Sequence, residues 1–309
     1  MEAIVKIGTF AGELQQTIDR EFQCHGPEEI ARNDGLRQSI RGLITRSNYQ
    51  VPLALLELLP ALQVISTCGV GYDGIPVAYA QARGIAVTHT PGVLDHAVCE
   101  LGVGLLLGLL RDIPASDRFV RDGRWSGSAY PLTTSLAGKA VGIVGLGRIG
   151  RGIAARLQPF GVTLAYSGSR KIDVPYRHVQ SVLALAGECN ILIVCCKGGS
   201  ETRHLVNAEV LQALGPAGSL VNIARGSVVD EEALVHALTT GAIRAAALDV
   251  FEDEPLRNSA LTSLPNVLLS PHAGSATREA RTAMLRLTLD NLHAVLNGQL
   301  ALSPMPRIG

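Results

Sequence analysis

The sequence predicts an α/β protein in two domains, each built on a parallel sheet. Three observations carry that reading. Short apolar runs rich in β-branched residues alternate with helical patterns along the whole chain. At 309 residues the chain has room for two domains, taken at roughly 150 residues each. Apolar residues are 47% of the chain and charged residues 17%, which is enough apolar surface for two cores and far from the composition of a disordered chain.

Strands are expected at 3–7, 42–45, 64–67, 86–88, 141–144, 163–166, 191–195, 219–222, 245–250 and 267–269. A long stretch separates the strand at 86–88 from the one at 141–144. It holds the apolar run 101–110, flanked by Glu100 and Arg111. A bilayer span needs about twenty such residues, so this run reads as a buried helix and no membrane partner is expected. The Gly/Ser/Arg-rich segment 121–139 follows it. A domain boundary is placed at Thr90-Pro91-Gly92. The last helix, 277–296, has no strand after it and is expected to return to the first domain. The first domain then comprises residues 1–92 and 278–309, and the second residues 93–277.

Lys plus Arg at 27 against Asp plus Glu at 27 leaves no net field to draw the protein onto nucleic acid or an anionic membrane, so the expected partner is a small molecule. The first ten residues lack the basic start, apolar stretch and cleavage site of a secretory signal, and a cytoplasmic location is expected. The six cysteines form no C-x-x-C pair and lie mostly in apolar segments, so neither a metal site nor a disulfide framework is expected.

The run 141–150 (VGIVGLGRIG) is a strand, then G-x-G-x-x-G, then a helical pattern. Gly145 permits the tight turn and Gly147 lets the backbone approach a pyrophosphate. Gly150 lets helix pack on strand, and the free N–H groups of the helix start, around Arg148 and Ile149, face the anion. The domain is therefore expected to be a Rossmann-type doubly wound parallel sheet binding a dinucleotide. NAD sites normally carry an acid about twenty residues on, at the end of the second strand. Here that end reads Ser167-Gly168-Ser169-Arg170-Lys171, with no acid before Asp173. Ser169 can donate to a ribose phosphate, and Arg170 and Lys171 can hold its charge, so NADPH (NADP) is preferred. NADH remains possible if Asp173 reaches back for the ribose.

Three ionisable residues follow three successive expected strands: Arg225 after 219–222, Glu254 after 245–250, and His272 after 267–269. The carboxyl ends of parallel strands line the ligand cleft. Moving a hydride onto a ketone builds negative charge on its oxygen, which needs a cation and a proton donor. Arg225 supplies the cation and can also grip a substrate carboxylate. His272 supplies the proton, and an adjacent Glu254 favours the imidazolium and fixes its tautomer. A 2-oxo acid suits both grips.

These residues resemble the D-isomer-specific 2-hydroxyacid dehydrogenase family. The stretches that carry the resemblance run in family order: 69–73 (GVGYD), 90–93 (TPGV), 145–150 (GLGRIG), 222–226 (NIARG), 229–230 (VD), 248–251 (LDVF), 254–255 (EP) and 270–272 (SPH). Within the family, 132–139 (LTTSLAGK), 167–171 (SGSRK) and 201–207 (ETRHLVN) look most like the NADP-dependent glyoxylate, hydroxypyruvate and hydroxyphenylpyruvate reductases.

The resemblance implies that Arg225, Glu254 and His272 are catalytic and that the first domain is a smaller flavodoxin-like α/β substrate domain. It also implies that N–H groups near Val70 and Gly71 hold the substrate carboxylate and that Asp249 orients the nicotinamide amide. Cys196 and Ile223 complete the candidate cofactor-binding set. A homodimer is implied, with the 101–110 helix and the arm at 121–125, including Trp125, in the contact. The chain departs from the family pattern at His89, at Asp95-His96 where a Thr-Asp or Thr-Glu type of pair is usual, at Lys197 and at Pro76. The alternatives are an NAD-dependent D-2-hydroxyacid or phosphoglycerate-type dehydrogenase, in which Arg46 would grip phosphate, and a dinucleotide-sensing scaffold without turnover.

Overall fold

In the computed structural model, which describes residues 1–257 and 259–306, the chain divides into two units. One is Met1–Leu94 with the chain from Thr277 onward, and the other is Asp95–Ala276. The crossing falls at Leu94, where a helix begins, rather than at the Pro91-Gly92 turn.

The first unit runs β1 (Glu2–Lys6), α1 (Gly12–Glu21), β2 (Phe22–His25), α2 (Pro27–Arg32), α3 (Asp34–Ser39), β3 (Gly42–Arg46), α4 (Leu53–Glu57), β4 (Val64–Cys68), α5 (Val77–Ala82) and β5 (Ala86–Thr88). The strands form one parallel sheet in the order β2-β1-β3-β4-β5, the flavodoxin-like order. The edge strand β2 was not expected from the sequence. It follows α1 with no residue between them, so no glycine or proline marks the change.

Side chains of a strand alternate between its faces. Val5, Leu43, Ile65 and Val87 accordingly face one core with Ile30, Leu55, Leu59 and Val77, while Ile4, Ile44 and Val64 face the other. Burial of both faces is what a parallel sheet demands. The second face is covered by Ile18 and by Leu285, Leu289, Leu292 and Leu296 of the last helix. Those leucines recur every three or four residues, which makes one apolar stripe.

The second unit runs α6 (Asp95–Leu110), α7 (Ile113–Arg121), β6 (Ala140–Val144), α8 (Arg148–Leu157), β7 (Thr163–Ser167), β8 (Arg177–His178), α9 (Val182–Gly187), β9 (Ile191–Val194), α10 (Ala208–Leu214), β10 (Ser219–Asn222), α11 (Glu231–Thr240), β11 (Ala245–Leu248) and β12 (Val267–Leu269), and the chain then returns in α12 (Arg278–Leu296). Its seven strands are all parallel, in the order β12-β11-β10-β9-β6-β7-β8. The strand order reverses between β6 and β9, which places the ligand crevice of a doubly wound sheet there. Two expected strands are shorter than the sequence suggested: β9 stops before Cys195, and β11 stops before Asp249, whose side chain is committed to the next loop. The two-residue β8 is polar and gave no apolar signal. Among the described residues, no helix is long and apolar enough to cross a membrane, no acid, histidine or cysteine cluster suits a metal ion, and all six cysteines are unpaired.

Candidate active site

The glycine loop joins β6 to α8 at the sheet's reversal point. Gly145 has φ +90°, a conformation that L side chains rarely adopt, and a Cβ on it would lie 2.5 Å from the Cα of Cys196. Its N–H donates to the Ser167 carbonyl at 2.8 Å, tying the turn to the end of β7. A Cβ on Gly150 would lie 2.3 Å from the Gly145 carbonyl oxygen, whereas nothing lies within 4 Å of one on Gly147. The loop is thus close-packed behind and open in front. Gly147 is the residue before α8 and no side chain caps the helix start. Unpaired N–H groups and the helix dipole leave partial positive charge there, and the open cradle fits a pyrophosphate.

Around that loop, Arg148 donates from Nε to Oδ2 of Asp95 at 3.0 Å, and the Ile149 carbonyl accepts from the Cys99 thiol at 3.4 Å. Cys195 donates its thiol to the Gly145 carbonyl at 3.4 Å. Burial pushes the Cys196 thiol up to about 11 and the Cys195 thiol higher still. Both therefore stay neutral near pH 7 and add no negative charge beside a phosphate site. Ile223 is buried, with its N–H on the Val194 carbonyl.

Beyond β7, the side chains of Ser169, Arg170 and Lys171 are exposed and make no hydrogen bond or ion pair among the described residues. The segment ends at Ile172, whose N–H donates to the hydroxyl of the fully buried Tyr166 at 2.8 Å. The short loop 168–171 is therefore anchored at both ends.

At the opposite side of the switch point, β10, β11 and β12 lie side by side and carry Arg225, Glu254 and His272 beyond their carboxyl ends. Glu254 accepts from His272 Nδ1 on Oε2 at 2.6 Å and from the Phe251 N–H on Oε1 at 3.2 Å. Burial pushes the Glu254 carboxyl up. The hydrogen bond and charge of His272, the Phe251 N–H and the charge of Arg225 outweigh it, and the group sits below the usual carboxylate range. An ionised carboxylate only accepts, so Nδ1 carries hydrogen and Nε2 is left for another partner. Arg225 donates to the Ala224 carbonyl at 2.7 Å, and Asn222 braces the turn by donating to the Arg225 carbonyl at 3.0 Å. A Cβ on Gly226 would lie 1.8 Å from the Phe251 carbonyl carbon. Only glycine lets the Arg225 loop come this close to the loop that carries Glu254.

Two further groups hold these loops. Asp249, 2% exposed, accepts from Ser270 Oγ at 2.6 Å, the Ala273 N–H at 2.7 Å and the Gly274 N–H at 2.9 Å. Its own carbonyl takes the His272 N–H at 2.8 Å. This clamp supports His272 at φ +53°, an uncommon conformation for a side chain with a Cβ. Glu252 accepts from Arg203 at 2.7 Å and lies 3.4 Å from His204 Nε2, while its N–H donates to Glu231 at 3.2 Å. Sequence reasoning had no signal for either support, because each partner lies some twenty to fifty residues away along the chain.

Val70 and Gly71 belong to the first unit, after β4. Their N–H groups donate to nothing among the described residues, while the Val70 carbonyl lies 3.1 Å from His89 Nδ1. Arg46, at the end of β3, donates to the Thr9 carbonyl at 3.0 Å and lies over the Tyr49 ring.

The family model described as D-isomer specific 2-hydroxyacid dehydrogenase, NAD binding domain, matches residues 103–274. Glyoxylate/hydroxypyruvate reductase A of Arabidopsis thaliana is 43% identical over 297 residues, 94% of this chain and 95% of its own. Hydroxyphenylpyruvate reductase of Plectranthus scutellarioides is 41% identical over 297 residues, with the same coverage of 94% and 95%. The solved structure of an NADPH-dependent glyoxylate/hydroxypyruvate reductase from Sinorhizobium meliloti, in complex with NADP and malonate, superposes with a TM-score of 0.91 at 40% identity, covering 98% of this chain and 96% of that one. A glycine cradle for a nicotinamide dinucleotide, a family model over more than half of the chain and relatives matched along nearly their full length identify this oxidoreductase as a member of the D-isomer specific 2-hydroxyacid dehydrogenase family.

Proposed function

We propose that this enzyme reduces a small 2-oxo acid, of the glyoxylate, hydroxypyruvate or arylpyruvate type, to the D-2-hydroxy acid with NADPH. The observation that carries the reading is the 2.6 Å Glu254–His272 pair, set beside Arg225 at the ends of three neighbouring strands. The bound dinucleotide supplies the hydride. Arg225 polarises the ketone oxygen and grips the substrate carboxylate, while His272 delivers a proton from Nε2 as the alcohol forms. Glu254 holds the ring by Nδ1. In the first unit, the N–H groups of Val70 and Gly71, which donate to nothing among the described residues, are the candidate contacts for an anionic group. Asp249 keeps an acceptor position on Oδ2 beside the Gly274 N–H it already takes, and that position is assigned to the nicotinamide amide.

The acid-free 167–171 segment favours NADPH, with Ser169, Arg170 and Lys171 on the ribose phosphate. The second unit exposes Ile113, Val120, Trp125 and Leu132, which supports a homodimer through that surface. Glyoxylate, hydroxypyruvate, pyruvate, phenylpyruvate, hydroxyphenylpyruvate and 2-ketogluconate, each assayed with NADPH and with NADH, test the reading. Turnover of one or more with NADPH above NADH is expected. No cofactor oxidation with any of them would refute it.

A further inference from the structure

Asp95 stands in the first turn of α6, where an acid is favoured by the helix dipole alone. Its contacts go further than that role requires. One oxygen, Oδ2, accepts from Nε of Arg148 at 3.0 Å, although the two residues are 53 positions apart. The other, Oδ1, is enclosed and has no hydrogen-bond partner among the described residues. A carboxylate placed only to stabilise a helix gains nothing by being half-satisfied in an enclosed position, since an unpaired buried acceptor is costly. The carboxylate is also the more enclosed partner: its side chain is 18% exposed, against 54% for Arg148.

Arg148 directly follows Gly147, so its side chain springs from the open mouth of the phosphate loop. With Nε engaged by Asp95, its two terminal amino groups make no hydrogen bond among the described residues. Those are the groups with which a guanidinium grips phosphate oxygens in a fork. An unheld arginine would have to give up its rotamer freedom on binding.

We propose that Asp95 is a positioning residue for the dinucleotide: it grips Nε of Arg148 and so presents the terminal amino groups of that guanidinium to the pyrophosphate. The proposal rests on the dinucleotide site, and not on which oxo acid is reduced or which dinucleotide is preferred. Field and positioning make opposite forecasts here. A negative charge beside the phosphate loop repels a polyanionic ligand, so by its field alone its removal tightens binding. As a holder of Arg148, its removal weakens binding.

The test is titration of NADPH and of NADH, without substrate, against the full-length parent, Asp95→Ala, Asp95→Asn, Arg148→Ala and the Asp95→Ala/Arg148→Ala double variant, by calorimetry or nucleotide fluorescence. Asp95→Ala is expected to weaken both cofactors about two- to tenfold, the cost of immobilising one long side chain. In the Arg148→Ala background the same substitution is expected to cost nothing further, because there is no guanidinium left to hold. Asp95→Asn removes the charge but keeps a weaker, neutral acceptor for Nε, so it is expected to weaken binding less than Asp95→Ala does, which secures the comparison if the alanine variant does not fold. Unchanged or tighter binding in the single variants overturns the proposal, as does an equal loss with and without Arg148. A parent protein that binds NADH in preference to NADPH would count against the cofactor assignment of the proposed function and leave this comparison standing.

Discussion

The Oε2 atom of Glu254 lies 2.6 Å from Nδ1 of His272, and the remaining carboxylate oxygen of the pair is taken by the Phe251 N–H. Each oxygen of the acid thus takes one donor, the ring on Oε2 and its own loop on Oε1. With Nδ1 held by the carboxylate, Nε2 is the ring nitrogen left to act as proton donor.

Replacing His272 by Asn should lower kcat for reduction by roughly 10²–10⁴-fold, the usual worth of a positioned proton donor, with NADPH binding unchanged. Glu254→Gln still accepts the Nδ1 hydrogen but removes the carboxylate charge beside the ring, and it should lower kcat less than the His272 replacement does, again with NADPH binding unchanged. Steady-state rates and cofactor titration check both variants, and a Glu254→Gln kcat equal to the parent's would remove Glu254 from proton delivery.

The same carboxyl contributes to stability with a defined sign. Its folded pKa lies below the ordinary range, so the contribution is present above the unfolded value of about 4.3 and is lost as pH falls through the folded value. The stability difference between parent and Glu254→Gln should be largest near pH 7 and shrink below about pH 4. Urea unfolding at pH 7 and at pH 3.5 measures it, and a difference that grows in acid would contradict the direction.

Arg170→Ala should separate the two cofactors. Loss of a charge-assisted phosphate contact is worth roughly 1.5–3 kcal/mol, or about ten- to over a hundredfold in NADPH affinity, while NADH should be nearly unaffected. Equal weakening of both would return Arg170 to the solvated surface.

Gly226→Ala places a methyl group 1.8 Å from the Phe251 carbonyl carbon, so the two loops must part. A cost of about 1–3 kcal/mol is expected from forced repacking, lowering Tm by roughly 2–4 °C per kcal/mol. Because the parting loops carry Arg225 and Glu254, kcat should fall further than stability alone explains. Thermal unfolding and kcat measured well below Tm distinguish the two effects.

Glu252→Gln leaves the reacting groups in place but weakens the tie from Arg203 and His204 to the Glu254 loop. Lower kcat with unaltered cofactor Kd is the expected pattern. A purely structural residue would lower Tm without touching kcat at 25 °C.

The sequence by itself determined the α/β class, the parallel character of the sheets, the family and the glycine loop. Each of these is written in local signals: β-branched runs, alternation with helical periods, and glycines where a turn admits no Cβ. It also placed Arg225, Glu254 and His272 after successive strands, since strand ends are marked by the loss of apolar pattern. Tertiary structure alone decided that β10, β11 and β12 are neighbours, that His272 meets Glu254, and that Asp249 and Glu252 brace their loops. It alone brought Asp95 to Arg148, and it added β2 and β8, one abutting a helix without a turn and the other two polar residues long. Propensity and periodicity act over a few residues, whereas these pairings join residues many positions apart and form only once the sheet has set its strand order.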